Sequence, residues 1–192
     1  MPTYLQFKVS LRNIEPAIWR RFLLRSDATF AHLHLAIQAA CGWQEMHLFR
    51  FFEGEPYGAA LAGIPDEEGG RVDVKTPDAA TVPLSSYFDA RTGRKCGYLY
   101  DYGDDWIHEV VLEGRLELRE SFFRKLLAGE RAFPPEDCGG VSGYETCLLA
   151  RNFSNESDPE FVKWLGRWDP ERFDHARAAK EFDRTRLTRR QA

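Results

Sequence analysis

Hydrophobic and polar residues alternate near the start of the chain. The apolar positions of this first stretch are Leu5, Phe7, Val9 and Leu11, with polar residues between them. Alternation with a period of two predicts a half-buried β-strand. Asn13 to Pro16 has turn composition, and a second apolar stretch follows from about Ala17 to Arg25. We therefore predict an antiparallel hairpin of two strands.

The next stretch changes its period from two to three and four. Phe30, Leu33, Ile37 and Cys41 follow Thr29, and Gly42 comes directly after them. This spacing predicts a helix that Thr29 caps and Gly42 ends. Leu48 to Phe52 then predicts a third strand. Residues 54–83 are acidic and rich in Gly and Pro, so we interpret them as a flexible insertion with one short strand.

A second hairpin is predicted from Cys96 to Leu112. Tyr98, Tyr100 and Tyr102 alternate before Gly103-Asp104-Asp105, and four apolar or aromatic positions alternate after it. Gly-Asp-Asp is typical of a tight turn between two strands. If these three residues form the turn, Tyr100 lies opposite His108.

The last third of the chain has helical signals. We predict a helix from Tyr144 to Arg151, a second after Asp158-Pro159, and a third from Asp169-Pro170 to about Arg184. The fold class is therefore α+β, with an antiparallel or mixed sheet and a helical C-terminal third. The ββαβ start is β-grasp-like in element order. The length favours one domain over residues 1–192, with a basic tail at 184–192.

Composition excludes several classes of protein. The 192 residues are 43% hydrophobic and 29% charged, which is typical of a globular chain and not of a disordered one. The longest apolar runs fall short of the ~18 residues that a membrane span needs. Four scattered cysteines without a secretion signal are typical of reduced thiols in a cytoplasmic protein.

The charge leaves one kind of partner open. The net charge of -4 argues against a basic nucleic-acid coat protein. The C-terminal segment from Arg177 to Arg190 is nevertheless rich in arginine. It could contact nucleic acid or an acidic protein partner, or it could be a solvated helix with a loose tail.

Candidate chemistry is concentrated in the second hairpin. Asp101, Asp104, Asp105, His108 and Glu109 fall within nine residues. Carboxylates at a hairpin tip could hold a divalent metal, with Asp101 and Asp104 as ligands, and His108 could act as a general base. The candidate catalytic residues are therefore Asp101, Asp104, Asp105 and His108. Turn geometry alone could also explain these acids.

A second candidate element is the string Pro134-Pro135-Glu136-Asp137-Cys138-Gly139-Gly140. Such a constrained loop can present its acidic residues to a ligand, or Arg20 and Arg21 could clamp it through buried ion pairs. We expect the site where this loop meets the hairpin. The ligand-binding candidates are Tyr100, Tyr102, Trp106, Glu136, Asp137 and Cys138. The aromatic residues among them could equally be core.

Taken together, these strings resemble the plasmid pRiA4b ORF-3-like family over about residues 3 to 183. The most specific ones are Asp101-x-Gly103-Asp104-x-Trp106-x-His108 and Pro134 to Gly140, and Gly42-Trp43 with His47 just after supports them. The resemblance implies a bacterial or archaeal protein of plasmids, chromosomes or insertion sequences, without a secure mechanism. Many relatives carry cysteines where Leu126 and Phe133 stand here, so we expect no soft-metal site at Cys138.

Our first hypothesis is a non-catalytic binding or accessory module linked to mobile DNA, with no required cofactor. The first alternative is a metal-dependent hydrolase or nuclease that uses the hairpin from Asp101 to Glu109. The second alternative is nucleic-acid binding through the arginine-rich C-terminal helix.

Overall fold

The fold is an α+β arrangement of one seven-stranded antiparallel sheet and four α-helices among the residues that the computed structural model describes, which are 1–65, 76–89 and 92–184. The strands are β1 Thr3–Leu11, β2 Trp19–Arg25, β3 Phe49–Phe52, β4 Ala60–Gly63, β5 Lys95–Tyr100, β6 Trp106–Glu117 and β7 Arg124–Glu130. The helices are α1 Phe30–Cys41, α2 Gly140–Asn152, α3 Pro159–Leu165 and α4 His175–Arg184.

The strand order in the sheet is β4-β3-β5-β6-β1-β2-β7. The alternating apolar residues of β1 are all buried, as their period of two predicts. They belong to one hydrophobic core with the apolar face of α1, including Phe30, Leu33 and Ile37. Strands β3, β5 and β6 are neighbours in this sheet. The start of β3, the end of β5 and the start of β6 therefore lie side by side at one end of the strands.

Helix α1 begins and ends where the sequence predicts. The Thr29 backbone N–H donates to His32 Nδ1 at 3.1 Å, which forms half of a capping box. Gly42 has a φ of 82°, and its N–H donates to the Gln38 carbonyl at 2.9 Å. A residue without a Cβ suits this left-handed C-terminal position.

Strand β7 and helix α4 differ from the prediction. Strand β7 was not predicted; it pairs with β2 at the edge of the sheet. Helix α4 begins at His175 and not at Asp169-Pro170, because the Pro170 carbonyl accepts from the Ala132 N–H at 2.9 Å and holds this segment against the end of β7. The predicted short strand of the insertion is present as β4, whereas residues 66–75 of that insertion lie outside the described residues.

Helix α4 is fastened to the sheet by a buried arginine. Arg124 on β7 donates to the Phe182 carbonyl at 2.9 Å and to the Leu35 carbonyl at 3.0 Å. Phe182 is fully buried beneath it. Of the predicted basic tail at 184–192, residues 185–192 lie outside the described residues. Among the described helices, none has the length and apolar character needed to cross a bilayer.

Candidate functional site

The connection between β5 and β6 is longer than the predicted turn. Tyr100 pairs with Trp106 and Tyr98 pairs with His108, so residues 101–105 form the connection. The predicted pairing of Tyr100 with His108 is therefore wrong by two positions. His108 consequently pairs two residues further from the tip of the hairpin than the sequence predicts.

The backbone of this connection turns sharply at its first residue. Asp101 has a φ of 58°, in the left-handed region that Asp tolerates better than most residues. Its Oδ1 accepts the Gly103 N–H at 2.9 Å. This Asx-turn fixes the carboxylate and leaves Oδ2 directed to the side chain of His47, 3.5 Å away.

A buried aromatic platform supports the site from below. The Trp43 and Tyr100 rings stack with centroids 5.2 Å apart, and Trp43 Nε1 donates to the Pro134 carbonyl at 2.9 Å. Tyr100 donates its hydroxyl to Glu136 Oε1 at 2.5 Å. Burial and this carboxylate together raise the pKa of Tyr100. The platform thus fixes the segment after α1, strand β5 and the Pro134–Gly140 loop to one another.

Two further hydrogen bonds hold the Pro134–Gly140 loop in place. Glu136 Oε2 accepts the Gln44 N–H at 2.8 Å, and Asp104 Oδ2 accepts the Gly139 N–H at 3.0 Å. Gly140 has a φ of 68°, and a Cβ on it would lie 2.4 Å from the Asp104 carbonyl oxygen. The loop therefore meets the hairpin tip at the place where the sequence predicts, and glycine permits the close approach.

Three side chains converge on the surface of this junction. His47 Nε2 lies 2.6 Å from Asp137 Oδ1 and 3.5 Å from Asp101 Oδ2. One ligand atom from each of the three residues lies within 4.8 Å of the others. We call His47, Asp101 and Asp137 the His47 triad. In the part of the chain that the structure describes, this is the one group of three such side chains whose ligand atoms come so close.

The electrostatics of the triad favour positive charge. Partial burial works against a charged imidazole, but the hydrogen bond with Asp137 and the charges of Asp101 and Asp137 prevail and raise the pKa of His47. The side chains are 31%, 13% and 64% exposed for His47, Asp101 and Asp137. A cation can therefore reach the triad from solvent. One imidazole nitrogen and two carboxylate oxygens form a donor set that suits divalent metals.

His108 does not join this cluster, contrary to the prediction that it could serve as a base. It is fully buried, and its ring packs against Trp43 and Phe133. Its Nδ1 lies 3.1 Å from the Trp106 carbonyl, while its Nε2 is buried without a hydrogen-bond partner among the described residues. Burial lowers the pKa of His108 to about 4.

Acid is expected to destabilise the protein through His108. A histidine whose pKa is lower in the folded state stabilises the fold above its unfolded pKa, and this contribution is lost as the pH falls towards the folded value. Between pH ~6.5 and pH 4, His108 should remove up to about 1.4 kcal/mol per pH unit from the free energy of unfolding. Urea unfolding at several pH values in this range measures the dependence of the free energy of unfolding on pH. The slope should be smaller by about this amount in His108→Gln, and an equal slope in both proteins would contradict the assignment.

The predicted arginine clamp on the loop is not formed. Arg21 makes a bidentate ion pair with Glu113, at 2.6 and 2.8 Å. Arg20 donates to backbone carbonyls, among them that of Ala40 at 3.1 Å. Glu136 is bound by Tyr100 and Gln44 instead. Aromatic stacking and backbone N–H groups replace the expected charge pairs.

The other predicted ligand-binding residues lie outside the His47 triad. Trp106 and Tyr100 are both fully buried in the core, so neither presents a ring to a surface ligand. Tyr102 is 39% exposed and packs edge-on against Tyr57, whose hydroxyl donates to Asp105. Cys138 is half-buried and faces Cys147; burial raises the pKa of its thiol, which disfavours a nucleophilic thiolate.

Comparisons with known proteins identify the family of the chain. The model of the plasmid pRiA4b ORF-3-like family matches residues 3–177, which is most of the chain. The chain belongs to this family. It is 33% identical over 166 residues to the uncharacterised protein y4hQ of Sinorhizobium fredii, and the match covers 86% of this chain and 82% of that protein.

A solved structure shares the fold of this pRiA4b ORF-3-like chain. The crystal structure of MM3350, a protein of unknown function from Methanosarcina mazei Go1, has a TM-score of 0.76 and 34% sequence identity. The similarity covers 92% of this chain and 96% of that one. Both relatives are described as uncharacterised or of unknown function, so an activity has to be argued from the residues of the site.

Proposed function

We propose that this protein is a binding module whose His47 triad takes one divalent metal ion. The observation that carries the proposal is the convergence of three ligand atoms, from three segments far apart in sequence, within 4.8 Å of one another. These segments are the one that follows α1, the connection between β5 and β6, and the Pro134–Gly140 loop. A surface ion pair would need two of these side chains, whereas a metal site uses all three.

The surroundings of the triad support a metal. The Gly103 N–H orients Asp101 through the oxygen that the ion would not use. The loop that carries Asp137 is fixed on both sides of it, at Glu136 and at Gly139. Groups that orient the ligands contribute substantially to metal affinity. The exposure of Asp137 leaves coordination positions for water or for a donor group of a partner.

Binding is favoured over catalysis because the candidate base is absent from the surface. His108 is buried with a lowered pKa, and Glu136 is engaged by two hydrogen bonds. An accessory role in mobile DNA, a cytoplasmic location and a β-grasp-like start of the fold belong to the proposal as well. The first of these rests on the plasmid origin in the family's description.

Calorimetric titration of the full chain, freed of metal with EDTA and dialysed, tests the proposal. We expect one Zn²⁺ or Mn²⁺ per chain at neutral pH, with weaker binding of Mg²⁺ and Ca²⁺, because an imidazole ligand favours transition ions over hard oxygen-seeking ones. Binding should weaken on acidification, since the proton on His47 competes with the metal. The absence of binding for all four ions would refute the proposal, as would Ca²⁺ binding as tightly as Zn²⁺.

A further inference from the structure

A cavity lined in part by Phe133 is separate from the His47 triad. Its volume is about 460 Å³, and it lies between the end of α1, the segment 166–174 and α4. Among its lining residues are Arg20, Phe133, Arg167, Trp168, Arg172 and Phe173. We call it the Arg20 cavity. Its lining contains no residue of the His47 triad.

The guanidinium of Arg20 lies between two aromatic rings in the wall of this cavity. Its Cζ is 3.9 Å from the centroid of Phe173 and 4.9 Å from that of Phe133. Gly129 makes room for this packing, because a Cβ there would lie 2.6 Å from Arg20 Cδ. The side chain is held in one place before any ligand arrives, so little entropy would be lost on binding.

The positive charge of Arg20 is buried without a counter-charge. The residue is 4% exposed, and its hydrogen bonds go to the carbonyls of Ala40, Trp19 and Glu130. Burial lowers its pKa to about 10, and among the described residues no carboxylate pairs with it. A buried cation without an anion is costly, so an anion in the adjoining cavity would be favoured.

Two further arginines of the lining are available to bind an anion. Arg167 and Arg172 are exposed on the segment 166–174, and neither forms an ion pair with any residue that the structure describes. The lining holds four arginines and three acidic residues, so it has an excess of positive charge, and the acidic residues have partners other than Arg167 and Arg172. Asp169 accepts the Glu171 N–H at 3.1 Å, Asp174 accepts the Arg177 N–H at 3.0 Å, and Glu181 pairs with Arg177 at 2.9 Å.

We propose that the Arg20 cavity binds a small organic anion with a carboxylate or phosphate group on a planar apolar body. The planar guanidinium groups of Arg20, Arg167 and Arg172 match the oxygens of either group. The rings of Phe133 and Trp168 provide an apolar wall for the body of the ligand. The proposal is independent of the metal site, because the two sets of lining residues do not overlap.

Calorimetric titration in low salt with EDTA present tests this site while the triad holds no metal. The probes are phenyl phosphate and benzoate, with phenol for the ring alone and inorganic phosphate for the anion alone. We expect one molecule of phenyl phosphate or benzoate per chain, and the tighter of the two identifies the anionic group. The double variant Arg167→Gln/Arg172→Gln should weaken this binding by about 10-fold or more, since it removes hydrogen bonds from two charged groups to the anion.

Arg119→Gln is the matched control, because Arg119 is exposed on the β6–β7 connection, outside the cavity lining. It should bind as the unaltered protein does. The proposal is overturned if neither aromatic anion binds, if the double variant binds as well as the control, or if phenol or inorganic phosphate binds as tightly as the aromatic anions. The three substituted arginines are exposed, so their replacement should leave the fold intact.

Discussion

Replacing His47 with asparagine is expected to weaken the binding of Zn²⁺ by about 100-fold or more. His47 supplies the one nitrogen of the triad, with Nε2 positioned between Asp101 and Asp137. Loss of groups that only orient metal ligands already costs about 10- to 100-fold, and loss of a ligand should cost at least as much. The variant should also lose the preference for Zn²⁺ over Mg²⁺. Calorimetric titration of both ions measures the two effects.

His175→Asn is the matched control for this substitution. His175 is an exposed histidine at the start of α4, outside the triad. Its replacement should leave the affinity for Zn²⁺ unchanged. Equal affinity in His47→Asn and in the control would show that any bound ion lies elsewhere, for example at the cysteine pair Cys138 and Cys147.

Gly140→Ala is expected to lower the free energy of unfolding by roughly 2–5 kcal/mol and to weaken metal binding with it. The left-handed backbone at φ 68° costs a residue with a Cβ about 1–2 kcal/mol. The Cβ would also lie 2.4 Å from the Asp104 carbonyl oxygen, and overpacking of this kind costs about 1–3 kcal/mol. The loop can relieve the contact by moving away from the hairpin, which carries Asp137 away from Asp101.

Gly114→Ala provides the comparison. Gly114 lies on β6, has no atom within 4 Å of an added Cβ, and has no left-handed φ. Its substitution should change the free energy of unfolding by less than about 1 kcal/mol, since alanine in a strand differs little from glycine where space is open. Urea unfolding of the two variants measures the difference. If both variants have the same stability, the close approach of loop and hairpin is not a constraint on the fold.

Periodicity predicted most of the fold because it reports which face of an element is buried. The alternation in β1 and the spacing in α1 identified their core faces, and α1 has the expected ends. Strand β7 was missed because Arg124, which is buried, and Lys125 interrupt its apolar pattern. The position of Arg124 in the core depends on carbonyl partners from α1 and α4, which local sequence does not reveal.

The contact between the hairpin and the loop was predicted from the sequence, whereas the presence of His47 beside it was not. The sequence placed the candidate site where the hairpin meets the Pro134–Gly140 loop, and hydrogen bonds join those segments through Glu136 and Gly139. His47 was not among the site candidates, because one histidine in a short segment after a helix has no periodic signal. Its position just after Gly42-Trp43, within the family pattern, was the one available signal.

The misplaced residues share a physical cause. His108 was assigned to the acidic cluster because it is close to those acids in sequence, whereas its side chain lies on the buried face of β6. Arg20 was assigned a carboxylate partner, whereas backbone carbonyls and two aromatic rings surround it. Strand register and the partners of long side chains are tertiary properties that one sequence does not specify.

Anomalous X-ray diffraction from crystals grown with Zn²⁺ tests the central claim most directly. We expect one strong anomalous peak at about 2.0–2.2 Å from His47 Nε2, Asp101 Oδ2 and Asp137 Oδ1. To accommodate the ion, the distance between His47 Nε2 and Asp137 Oδ1 should increase from 2.6 Å. The account would be contradicted if the triad has no anomalous peak and the distance between His47 and Asp137 is unchanged, while Zn²⁺ binds elsewhere in the molecule.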